Sequence, residues 1–187
     1  MQKISLRVRE LISCLRRDAR GSAAVEFAVI VPIMLTLFFG VIEFSSGVAV
    51  DRKVTLVART LSDLTSQSSS VTDTDLTNFT TTVKAIMTPY QGSLLNSTVS
   101  ELYVEPTTLI AKVKWSKGSA ARGFNTTVAI PTALQIGGTY LIFAEANYTY
   151  TPTVGYVMKA AVTLRDFTYT RPRQSTCVMY SQTTCPI

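Results

Sequence analysis

The 187-residue chain reads as an α+β protein, with one long N-terminal transmembrane helix continuing into an extracytoplasmic domain that holds a small, mostly antiparallel sheet. Three observations point there. Between Glu26 and Glu43 the run FAVIVPIMLTLFFGVI carries no charge over sixteen residues. Past that run, apolar residues keep recurring at spacings of three and four as far as about Ser66, as one buried helix face requires. From Thr98 the apolar period changes to two, the alternation of a half-buried strand.

The first element is a basic leader. Lys3, Arg7, Arg9, Arg16, Arg17 and Arg20 stand against Glu10 and Asp18, so residues 1–21 hold +4 of the formal net charge of +6. Positive residues beside an apolar segment stay in the cytoplasm during insertion. The charge therefore reports topology, and no nucleic-acid partner is expected. Leu11-Ile12-Ser13-Cys14 matches a lipoprotein cleavage box locally, but no apolar segment precedes it, so Cys14 is read as an inert leader cysteine.

The membrane segment follows. Glu26 and Glu43 are 17 residues apart, which is about 25 Å of helix at about 1.5 Å per residue. Each glutamate can then lie near one interface of a hydrocarbon core about 30 Å thick. Glu43 is expected to snorkel to the outer headgroups, the other reading being contact with a basic residue of a partner helix. Pro32 lacks an amide hydrogen and is expected to kink the helix or loosen one turn. A soluble buried helix would leave the basic leader without a reason. A cleaved signal peptide shares the basic-then-apolar order, and the small residues Ser45 to Ala49 leave that reading open.

Beyond the span, Val54, Val57, Leu61 and Leu64 form a stripe, with Asp51, Arg52, Lys53, Arg59 and Asp63 between them. The expected division is a leader (1–21), a span (22–50), a helical extension (51–66) and an extracytoplasmic domain (67–187). QSSSVTDT, from Gln67, reads as a polar turn. Leu76, Phe79, Val83 and Ile86 or Met87 predict a short amphipathic helix capped by Asp73 or Asp75 and stopped by Pro89.

Strands come next. Leu102 and Val104 form one set, and Leu109, Ala111, Val113 and Trp115 form another, with a hairpin turning near Pro106. Lys117 to Asn125 is expected to be a solvated loop carrying two positive charges. Val128 and Ile130 suggest a short strand, Thr139 to Tyr150 a long one, and Ala161 to Thr170 the last. The tyrosines Tyr140, Tyr148, Tyr150, Tyr156 and Tyr169 are read as ordinary sheet residues rather than a glycan-binding face. Cys177 and Cys185 lie on the predicted outer side and can close a small disulfide loop.

An enzyme is not expected. The chain has no histidine, which removes the commonest general base and the commonest metal ligand. Glu101, Glu105, Glu145 and Asp166 form no acid/base pair by spacing, and no glycine-rich phosphate loop is present. No cofactor and no metal are expected.

The most informative stretch is RGSAAVEF, from Arg20 to Phe27, where glycine is followed by four small or apolar residues, a glutamate and an aromatic. It resembles a type IV prepilin peptidase site. The span as a whole resembles the TadE-like family of Flp/Tad pilus proteins, with Glu26-Phe27 near its start, Pro32 within it and Glu43-Phe44 near its end. That resemblance implies a pilin-like fold and a pseudopilin or minor pilin placed in a bacterial inner membrane. It also implies cleavage between Gly21 and Ser22 by a prepilin peptidase, and assembly with other pilins through the helix. The Ser22 amine of one subunit would then meet Glu26 of the next. An unprocessed single-pass envelope protein whose outer domain binds an assembly partner or surface ligand is the alternative.

Overall fold

The computed structural model describes residues 20–152, 155, 158–181 and 184–185; the leader with Cys14, and Tyr156, lie outside them. Helix α1 (Arg20–Ser66) is continuous over 47 residues, which is about 70 Å at about 1.5 Å per residue. It is followed by β1 (Ser70–Val71), α2 (Asp73–Ala85), β2 (Leu95–Val104), β3 (Ala111–Gly118), β4 (Thr127–Val128), β5 (Tyr140–Tyr150), β6 (Val162–Thr170) and β7 (Met179–Tyr180). Five strands form an antiparallel sheet in the order β4-β3-β2-β5-β6.

The predicted helical stripe is what joins α1 to the sheet. Val54, Val57 and Leu61 are fully or almost fully buried, together with Val50 and Ala58. They pack with Val99, Ile142, Ala144, Ala146, Tyr148 and Tyr150. Ser62 lies among them, its hydroxyl donating to Thr170 Oγ1 at 2.7 Å. The side chain of Lys53 reaches Ile86 O and Thr88 O, both at 2.8 Å, tying the end of α2 to the long helix.

α2 forms where the apolar spacing placed it, but its cap differs from the expected one. Thr72 is the N-cap: its hydroxyl accepts from the Asp75 amide at 3.2 Å, and Asp75 Oδ2 accepts from the Thr72 amide at 2.9 Å. Asp75 therefore closes a reciprocal capping box from inside the first turn, because only a residue with extended backbone can begin the helix. Thr72→Ala should lower stability by about 1 kcal/mol, read as a lower midpoint in urea unfolding of the full chain in detergent micelles.

The β2–β3 hairpin departs more sharply from simple alternation. Glu101 faces Trp115 but Leu102 faces Val113, so Lys114 is an extra residue in β3. Side chains on either side of such a bulge change faces. Ala111 and Val113 consequently join Leu102, Val104, Leu141 and Phe143 on the face away from α1. Trp115 instead enters the core beneath the helix. The outer face is covered by Val128, Ile130 and Leu134, giving the sheet a second small core. Leu109, grouped with these residues by period, is exposed in the hairpin turn with φ 58°.

Two glycines are required by close approach. At Gly118, φ is 132° and a Cβ would come within 2.2 Å of Ser97 O; at Gly137 it would lie 2.7 Å from Pro106 Cα. Either substitution would force backbone to move.

The segment expected to be a solvated loop from Lys117 to Asn125 begins inside β3, where Lys117 and Gly118 still pair with β2, and neither of its two charges is simply solvated. Arg122 makes a two-pronged ion pair with Glu145 on β5 and lies over the Phe143 ring at 5.1 Å. Lys117 pairs with Asp73 at 3.2 Å and lies over Tyr180. Tyr140, Tyr148 and Tyr150 are buried, in keeping with ordinary sheet packing.

Candidate functional site: the bare helix, its junction with the head and the C-terminal clasp

The N-terminal half of α1 has almost no protein against it. Its most apolar window has a mean hydropathy of 2.4 and none of it is buried. Val25, Phe27, Ile33, Leu37 and Phe38 are each more than half exposed. In water this much apolar surface would be strongly unfavourable. Its length and composition suit a single membrane crossing.

Within that surface the expected residues fall as follows. Glu26 is exposed, one turn above Ser22, whose hydroxyl donates to Glu26 Oε1 at 3.2 Å. Phe27 is 69 % exposed beside it. Gly21 sits in the first turn, and a Cβ there would meet nothing within 4 Å. The helix passes through Pro32 without interruption. Pro32 has no amide hydrogen to offer the preceding turn, and its own carbonyl accepts a second bond from the Thr36 hydroxyl at 2.8 Å.

Glu43 departs from expectation. It does not snorkel outward: it is only 2 % exposed, and its Oε2 accepts the Met158 amide at 2.7 Å. The carboxylate therefore ties Met158, shortly before β6, to the helix at the head-side end of the uncharged run. The reason is tertiary, because Met158 lies against the helix face carrying Glu43 and offers it a backbone donor. Phe44, the next residue, stays 69 % exposed.

The C-terminal segment forms a clasp with no periodic signal in the sequence. Cys177 and Cys185 are bonded, with Cα atoms 5.8 Å apart. Next to Cys177, the Val178 amide donates to Glu101 Oε1 at 2.6 Å, and the Trp115 indole donates to Val178 O at 2.8 Å. β7 then pairs in parallel with β1, and the Tyr180 hydroxyl donates to Asp73 at 2.8 Å. Arg173 pairs with Asp63 at 2.7 Å while its amide donates to Ser66 O. The tail is thus fastened to the end of α1 through Arg173 and to β1, β2 and β3 through residues 178–180. A two-residue strand is too short to announce itself by alternation, which is why β1 and β7 escaped the sequence reading.

Glu101 is the one wholly buried acid in this clasp. Burial pushes its carboxyl up to about 7, with the Val178 amide and then the Trp115 indole drawing it partly back. Among the described residues its Oε2 has no hydrogen-bond partner. The remaining acids considered for chemistry are dispersed. Glu105 pairs with Lys112 at 2.9 Å, Glu145 with Arg122, and Asp166 accepts the Phe167 amide.

The model of the TadE-like protein family matches residues 21–62. That segment begins at the glycine of the first turn and ends within the stripe that docks on the sheet. No curated protein and no solved structure matches the chain.

Proposed function

Because the chain carries the TadE-like segment along its bare helix, we propose that it is a pseudopilin or minor pilin of a Flp/Tad-type pilus. The helix serves first as a membrane anchor and then as the element that packs among other pilins. The head acts as a spacer or tip and performs no chemistry. In this reading the N-terminus faces the cytoplasm, the head lies in the periplasm, and the membrane is the bacterial inner membrane.

The observation that carries the reading is the combination of the family match over 21–62 with an apolar helix half that no part of the head covers. An anchor needs only apolarity, whereas a glutamate exposed within the first turns calls for a partner. In this proposal a prepilin peptidase cuts between Gly21 and Ser22, and the freed Ser22 amine meets Glu26 of a neighbouring subunit. Gly21 supports the cleavage. Glycine in a helix is less favourable than alanine by about 1 kcal/mol, and nothing in the fold requires it here. A protease that must approach the backbone closely gives it a purpose.

N-terminal sequencing tests this directly. The chain is recovered from membranes with and without an active prepilin peptidase. A start at Ser22 only where the peptidase is active is the expected outcome. An intact leader in both samples would favour the unprocessed envelope protein.

A further inference from the structure

The membrane-facing end of the head can be located from the strand register. α1 and β5 run in opposite directions: Ser62 lies beside Ile142, while a Cβ at Gly47 would lie 3.8 Å from the Tyr150 ring. Tyr140, at the other end of β5, pairs with Tyr103 just before the β2–β3 turn. That turn therefore points away from the bilayer. The end of β5 and the start of β6 point toward it.

At this lower end there is a cavity of about 230 Å³, lined by Phe44, Gly47, Val48, Tyr150, Met158 and Val162, with Asp51 as a charged residue on its lining. Its helical wall starts at Phe44, two residues past the end of the uncharged span. The Glu43 carboxylate holds the Met158 amide at 2.7 Å, which fixes Met158 at the depth of the last membrane turn. Val162 is 36 % exposed, and Lys159 beside Met158 is exposed.

We propose that this notch takes an acyl chain of the bilayer that the helix crosses, so that the head is seated on the membrane rather than held above it. The apolar walls are continuous with the lipid-facing surface of the span, so a lipid chain reaches them without crossing water. Lys159 stands where a phosphate headgroup would lie, and basic residues at this level attract anionic lipid. Glu43 contributes by bringing the β5–β6 connection down to the interface. The proposal needs only the membrane crossing and is independent of any role in a filament.

Site-directed spin labelling tests it. The full chain, with Cys14→Ser to remove the leader thiol and the Cys177–Cys185 bond intact, is placed in nanodiscs of phosphatidylethanolamine and phosphatidylglycerol. Nitroxides are attached to Met158→Cys or Val162→Cys, and to Thr107→Cys in the distal turn as a reference. The expected result is a several-fold higher ratio of oxygen to nickel-chelate accessibility at 158 and 162 than at 107. Equal ratios at all three sites would overturn the proposal. So would spin–spin broadening at 158 that disappears on dilution with unlabelled chain, since a second copy would then occupy the notch. Two independent labels keep the result readable if one disturbs its own site.

Discussion

With the proposed pilin role, exchanging Glu26 for Gln is expected to leave the chain in the membrane but to reduce its entry into filaments by about tenfold to a hundredfold. The carboxylate lies on an uncovered helix face, with the Ser22 hydroxyl at 3.2 Å. Such a group is unfavourable in lipid until a cation meets it. Hydrogen bonds to charged groups contribute about 1.5–3 kcal/mol, and each 1.4 kcal/mol is about a factor of ten in an equilibrium constant. Glutamine keeps the size of the side chain and loses the charge, so the helix still inserts, if anything more readily. The measurement is the ratio of subunit in sheared filaments to subunit in membranes, for wild type and variant expressed at equal levels. An unchanged ratio would remove the proposed Ser22–Glu26 pairing while leaving the membrane helix untouched.

The second large effect concerns Glu101 and the stability of the clasp. Its carboxyl titrates near 4.5 when unfolded and at about 7 in the folded chain. The folded state therefore holds the proton to higher pH, and stability falls as pH rises through that interval. At about 1.36 kcal/mol per pKa unit, the loss between pH 4.5 and pH 7 and above amounts to about 3 kcal/mol. Glu101→Gln should abolish most of this slope and make the variant the more stable form at pH 8, because its carbonyl can still accept the Val178 amide without carrying charge. Asp73, Asp75 and Glu105 do not obscure the window: their partners hold them below the usual carboxylate range, so their contributions are lost only under more acidic conditions. Urea unfolding of wild type and variant across pH 5–8, followed by Trp115 fluorescence, checks the prediction. Parallel slopes would mean that the buried carboxyl is solvated or paired otherwise.

Much of the architecture was legible because it rests on long, repeated patterns. The span needed only an uncharged run. The docking stripe of Val54, Val57 and Leu61 needed only helical period, and β5 needed eleven residues of alternation. What failed were features set by a single residue or a distant partner. Lys114 looks like an ordinary alternating position until the register across β2 shows it to be surplus. Arg122 looks solvated until β5 brings Glu145 beside it. Thr72 holds the cap expected of the neighbouring aspartates, because threonine and aspartate both suit the position and only backbone conformation separates them.

The sequence by itself determined the membrane helix, its continuation into the head, the TadE-like residues along it and the class of fold, since each depends on local composition or on a period repeated over several turns. Only the tertiary structure decided the fate of Glu43 and Glu101. Both carboxylates are buried against backbone amides, of Met158 and Val178, that lie 115 and 77 residues away in the chain. No local pattern encodes such a partner. It exists because the sheet folds back along α1, bringing the β5–β6 connection to the foot of the head and the disulfide-closed tail to its side.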